Sequence, residues 1–92
     1  MRRLSLRIRK WTADMLDLPQ DVVFDLPRLT MIGDRQLYIE NHRGVIHFSP
    51  DRLRLALPKG ELEVFGSGLV IRGIWTEEVF VEGVITQVHI NG

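Results

Sequence analysis

From Val22 onward, apolar residues recur at every second position, and this period constrains the chain more than any other feature. The stretch "RLRLAL" is the clearest case, with Leu53, Leu55 and Leu57 set against Arg52, Arg54 and Ala56. Successive side chains of a strand point to opposite faces, so such a run buries one face and wets the other. "RQLYIE" sets Leu37 and Ile39 against Tyr38 and Glu40, and "GVIHF" sets Ile46 and Phe48 against Val45 and His47. "ELEVF" sets Leu62 and Val64 against Glu61 and Glu63. "LVIRGIW" and "EEVFVEGVITQVHI" complete the series. Gly83 is expected to bend the last run so that Val79, Val81, Val84, Val88 and Ile90 share a face. "DVVFDLPRLTMIG" is interrupted by Pro27 and reads as an edge strand or two short extended pieces.

Turn signals separate these runs: "NHRG", "SPD", "PKG", "GSG" and "TEE". Leu57-Pro58-Lys59-Gly60 suits a turn with proline second and glycine fourth. Connections this short require antiparallel neighbours, because parallel pairing needs a crossover. No exact internal repeat is present, although the regular spacing of glycine-led strands also leaves a small solenoid-like stack open.

The first 18 residues follow a different period. Leu4, Ile8, Trp11, Met15 and Leu18 form one helical stripe, Arg2, Arg3, Arg7 and Lys10 lie opposite, and Leu18-Pro19 ends the pattern. The expected fold is therefore mainly β (α+β by count). A basic amphipathic helix over 1–18 precedes a single β-rich domain over 19–92, a curved antiparallel β-meander of about six to eight short strands. Residues 1–18 carry five cations against two acids and residues 19–92 seven against ten, so a formally neutral chain divides into +3 and −3 parts. No apolar segment follows the arginines as in a secretory signal, and no run approaches the roughly 18 apolar residues of a membrane span. With 92 residues, 45% apolar, and no cysteine, the expectation is one small cytosolic domain. Self-association is a realistic source of added stability at this size.

Three roles fit the helix. It can cover the open sheet face, lie on an anionic membrane with Trp11 at the interface, or dock on a partner protein. Arg2, Arg3, Arg7, Lys10 and Trp11 are the candidate contacts for membrane or partner.

The stretch "YIENHRGVIHF" holds the second candidate, the corner Glu40, Asn41, His42, Arg43 and Gly44. As a small hydrolase or ligand-binding site it would use His42 as a base oriented by Glu40, with Arg43 holding an anion, and it would need a concave pocket. No serine or threonine nucleophile lies within it. The simpler reading is a turn, since asparagine tolerates left-handed geometry and Gly44 restarts a strand. Asn41 and Gly44 then set the shape, while Glu40, His42 and Arg43 present a polar recognition edge.

Other chemistry finds little footing. His42, His47 and His89 make neither an H-x-H nor an H-x-x-x-H pair, so no metal site is expected, and no phosphate-binding glycine loop is present. Arg52 and Arg54 face Glu61 and Glu63 on the neighbouring strand, which suits cross-strand ion pairs better than a nucleic-acid surface. No cofactor, no nucleic acid and no enzymatic activity are expected.

"LDLPQDVVFDLPRLTMIG", "LYIENHRGVIHFS", "GELEVFGSGLVIRGI" and "VFVEGVITQVHI" together resemble the YabP/YqfC family of sporulation proteins, on its YqfC side. The likeness spans almost the whole chain. Its most specific parts are Leu16 to Pro19, Pro27-Arg28, and Ile39-Glu40-Asn41-His42 with Gly44. The resemblance implies a mother-cell protein of endospore formation, partnered by a larger membrane-associated sporulation protein, YqfD-like, and brings no catalytic motif. The alternative is a purely structural oligomer, assembled through exposed strand edges such as the one ending at Ile90.

Overall fold

The computed structural model describes residues 25–92. The helix expected over 1–18, and the boundary with 19–92, lie outside the described residues. Where the alternation runs, strands form: β1 (Arg28–Ile32), β2 (Gln36–Glu40), β3 (Gly44–Ser49), β4 (Arg52–Ala56), β5 (Glu61–Ile74) and β6 (Glu78–Asn91). All regular structure among the described residues is strand. The order across the sheet is β1-β2-β6-β5-β4-β3, and every pair is antiparallel.

Two features depart from the expected meander of short strands. Only β3 to β6 form a meander; β2 pairs with β6 instead of with β3. In addition, "GSG" is not a turn. It sits inside the 14-residue β5, which runs unbroken beside the equally long β6.

The two long strands cannot be straight. Ala56 pairs with Glu61 at the start of β5, whereas Glu77 follows the end of β5. A flat 14-residue strand would hold these points roughly 40 Å apart, at about 3.3 Å per residue. Yet the amides of Asn41 and His42 both donate to the Glu77 carbonyl (2.7 and 3.1 Å), and the adjacent Arg43 amide donates to the Ala56 carbonyl (2.7 Å). The β5–β6 ribbon is therefore folded back on itself, and the sheet becomes two stacked halves. β2 pairs with residues 78–82 of β6 in one half, and β4 pairs with residues 61–65 of β5 in the other.

Bulges produce the fold-back. The β5–β6 register shifts between Phe65 and Gly66, between Ser67 and Val70, and between Ile71 and Gly73. At the first shift Thr86 is the extra residue on β6, and its hydroxyl donates to the Phe65 carbonyl at 3.1 Å. This extra residue reverses the alternation. Ile85, before the shift, keeps the phase of Val79 and Val81 and enters the core in place of the expected Val84, and the reversal then brings Val88 to the same face. Gly83 bends the strand as expected, with φ 141°; a Cβ there would stand 2.8 Å from the Gly68 carbonyl oxygen and 2.9 Å from Leu69 Cα. Neighbouring turns hold the bend by backbone hydrogen bonds. Leu69 donates to the Pro50 carbonyl (2.8 Å) and Ile85 to the Asp34 carbonyl (2.8 Å).

Pairing registers arrange the inner face in four rows. They run Leu29–Ile39–Val79–Ile74, Met31–Leu37–Val81–Ile71, Val45–Leu55–Leu62–Ile90 and Phe48–Leu53–Val64–Val88. In each row the two central residues are fully buried and the two end residues are partly or largely exposed. The core thus lies between the central strands, and the flanking ones overhang it. The outer face is polar. Arg52 pairs with Glu63 and Arg54 with Glu61, diagonally across the ladder as their spacing suggests. These bonds hold both carboxyls below the ordinary range.

Gly83→Ala should lower stability in urea unfolding by at least about 2 kcal/mol, from left-handed strain plus backbone collision. Gly33→Ala, at φ 56° with nothing within 4 Å, should cost only about 1 kcal/mol. Equal costs would remove the fold-back contact as the reason for glycine at 83.

Candidate functional site

The corner between β2 and β3 is where the two halves of the sheet are joined. Asn41 leaves β2 with φ 72°, a left-handed conformation that asparagine accepts, and Gly44 enters β3 at φ 139°. The stretch is a shaped turn, and its amides reach both halves through the Glu77 and Ala56 carbonyls.

The turn divides the five residues by role. His42 faces inward and is 2% exposed. Its Nδ1 accepts the Gly44 amide at 3.0 Å, while its Nε2 is buried and has no hydrogen-bond partner. This differs from the expected polar edge: the left-handed step at Asn41 turns the next side chain into the fold. Arg43 remains exposed; its guanidinium bonds the Asn41 side-chain oxygen (2.6 Å) and the Asp25 carboxylate (3.1 Å). Asn41 Nδ2 donates to the same carboxylate (3.0 Å) and to the Leu26 carbonyl (3.0 Å). Glu40 lies on the outer face, opposite Arg28, with 3.8 Å between their charged groups. A general base needs a ring nitrogen within reach of the proton it takes. Here one nitrogen of His42 is occupied by a backbone amide and the other is buried.

Asp25 was not among the candidates drawn from the sequence. Local pattern offers no signal for it, because it meets Asn41 and Arg43 only through the tertiary fold. Together the three clamp the chain where it enters the sheet. Arg2, Arg3, Arg7, Lys10 and Trp11, the candidate membrane or partner contacts, lie outside the described residues.

Next to the corner, Tyr38 and Glu78 face each other over the outer surface. Tyr38 donates to the Glu78 carboxylate at 2.7 Å, and its ring stands edge-on to Phe80. The hydrogen bond to Glu78, reinforced by burial, pushes the phenol up to about 12. His47 and His89 are exposed on this polar side, each among its own neighbours: His47 within 3.3 Å of Ser49 Oγ, and His89 edge-on to Phe65. Among the described residues no three His, Asp or Glu side chains converge as metal ligands.

Comparison with known proteins places these residues in context. The family model described as the YabP family matches residues 25–91, nearly the same span as the six strands. The chain is also similar to YqfC of Bacillus subtilis (strain 168), with 44% identity over 83 residues, covering 90% of this chain and 89% of that protein.

The chain has one tyrosine, so ultraviolet titration reads Tyr38 directly. It should ionise near 12 in the folded protein and move down toward the 10.0 of an unperturbed tyrosine in Glu78→Gln. A phenol raised in the folded state stabilises the fold below its unfolded value, and this contribution is lost as pH rises from about 10 to about 12. Identical titration in both proteins would remove Glu78 as the cause.

Proposed function

Because the chain belongs to the YabP family, we propose that it is a non-enzymatic protein of endospore formation that acts by binding in the mother cell, at a membrane surface or on a membrane-associated partner of the YqfD kind. The observation that carries a binding role is the overhang of the sheet. Apolar residues on the flanking strands, Met31, Val45, Phe48, Ile74 and Ile90, remain exposed beside a core already complete without them. Surfaces of this type mark interaction sites more often than catalytic ones. The cationic segment Arg2, Arg3, Arg7 and Lys10 adds affinity for an anionic surface. The hydrolase reading has little support, since the ring of His42 is buried and engaged by the backbone.

Self-assembly is the second reading. Among the described residues β1 and β3 end the sheet, and residues 84–91 of β6 pair only with β5, so within this set the strand ending at Ile90 also has a free side in its half. Free edges with apolar flanks favour strand addition.

Co-sedimentation with anionic vesicles across a salt series tests the proposal. Full-length protein should sediment at low salt and be released at high salt. Replacing Arg2, Arg3, Arg7 and Lys10 together by glutamine should abolish binding, at about 1 kcal/mol per cation. Sedimentation only with a YqfD-like protein in the vesicles would select the partner over the lipid. A chain that binds neither would overturn the proposal.

A further inference from the structure

Within the polar outer face, three aromatic side chains stand together. Val79 and Val81 are buried, so Phe80 between them faces outward. The pairing registers then set Tyr38, Phe80 and Gly73 side by side in one cross-sheet row. Tyr38 and Phe80 meet edge-on, with 6.3 Å between ring centroids. Gly73 has no side chain to continue the row, and Trp75 takes that place: a Cβ at 73 would stand 2.5 Å from Cη2 of its indole. The rings thus run from β2 across β6 to the end of β5, and the last of them, Trp75, is 55% exposed.

A row of acids runs beside the rings. Glu40 and Glu78 are partners in register, and Glu78 lies opposite Trp75, whose amide donates to the Glu78 carbonyl at 2.7 Å. Glu77 sits in the turn between them and is exposed. Arg28 stands 3.8 Å from Glu40. Among the described residues, however, no cation comes within 4.0 Å of the Glu77 or Glu78 carboxylate. Like charges directly opposite on a ladder repel, and a cation laid over this row would relieve the repulsion. The turn itself is no loose hairpin tip. The Glu77 carbonyl accepts the Asn41 and His42 amides, which fastens Trp75, Glu77 and Glu78 to the seam between the two halves. Groups held in place before a ligand arrives lose less freedom on binding.

We propose that this row is a recognition site for arginine side chains of a protein partner, in which a guanidinium stacks on Trp75 and is met by the carboxylates of Glu77 and Glu78. Charge selects the class of ligand. Carboxylates beside an aromatic face reinforce its attraction for a cation and repel phosphate or carboxylate groups. A sugar stacked on the indole would leave both carboxylates without a countercharge. Arginine suits the row better than lysine, because its planar group stacks on a ring and forks to a carboxylate at once. This names a chemistry for the protein partner of the proposed function and rests on that reading. Its test involves neither vesicles nor a membrane protein, so the two fail separately.

Full-length protein is titrated, by nuclear magnetic resonance, with the peptide acetyl-Gly-Arg-Gly-Arg-Gly-amide and with the same peptide carrying citrulline, which keeps the shape and removes the charge. The Trp75 indole N–H, assigned by its loss in Trp75→Phe, should move saturably with the arginine peptide. The citrulline peptide should bind at least about threefold more weakly. Glu78→Gln and Glu77→Gln should each weaken the arginine peptide about two- to fivefold. Glu77→Gln carries the charge test if the change at 78 disturbs Tyr38, and unmoved Leu53 and Leu55 amides show that the sheet is intact. A Trp75 signal that ignores the arginine peptide, or equal affinity for the citrulline peptide, overturns the proposal. Saturation by chitotriose and not by the arginine peptide overturns it by assigning the row to a glycan. A Trp75 signal that shifts on dilution of the protein alone, or on replacing Arg2, Arg3, Arg7 and Lys10 by glutamine, overturns it too, since a second copy or the chain's own cations then fill the row.

Discussion

The fold-back of the β5–β6 ribbon is the constraint on which the rest of the structure depends. Two antiparallel strands of 14 residues each, left straight, would present one continuous apolar face and bury none of it. Shifts of register on both strands, with Gly83 packed against Gly68 and Leu69, bend the ribbon near its middle. The two inner faces then cover each other. Eight residues, two from each cross-sheet row, become fully buried by this one event. The bonds that the Leu69 and Ile85 amides donate to the Pro50 and Asp34 carbonyls show that the β3–β4 and β1–β2 turns also serve as clasps on the bend.

The Glu40–Gly44 corner follows from that geometry. A three-residue connection can join β2 to β3 only if their halves are stacked, and its amides are satisfied only by carbonyls drawn from opposite ends of the ribbon. Burial of His42 at this seam is a structural role: its Nδ1 takes up the Gly44 amide, which would otherwise be unpaired inside the fold. The asparagine and arginine beside it face outward and are engaged with Asp25. Of the most distinctive residues of the family likeness, Glu40 to His42 with Gly44 thus belong to the joint of the sheet and to the anchoring of the segment before it.

Overhang is the second consequence. Half-sheets several strands wide that overlap only through their central strands leave apolar edges on either side. A small domain gains little from burying its edges with so few residues available, and such edges are where another chain segment, copy or partner finds purchase. The outer face, where it is laced by Arg52–Glu63, Arg54–Glu61 and Arg72–Glu82 pairs, is unsuited to that purpose.

Much of this was legible in the sequence because it is local. Alternation placed five of the strand cores, the turn residues placed the connections, and the spacing of Arg52, Arg54, Glu61 and Glu63 implied the ion pairs. The left-handed asparagine and the glycine at 44 followed from backbone preference alone. What alternation could not convey was which apolar residues are buried. Leu55 and Val45 share a row and a face, yet one is fully buried and the other 40% exposed, since burial depends on which strand stacks above and not on the period along the chain. The change of phase on β6 falls at Thr86 and not at Gly83, which leaves Ile85 in the core in place of Val84, and "GSG" became a bulge instead of a turn, because each is decided by contacts with the paired strand. The inward turn of His42 and the meeting of Asp25 with Arg43 have the same origin. By itself, the sequence determined most of the strands, the faces of β2, β4 and the first half of β5, and the family. It did not determine the face of β3, where Ile46 is the extra residue and Val45 shares the inner face with Phe48. The tertiary structure decided which face closes on which, because that choice rests on bulges and stacking that only the folded ribbon brings together.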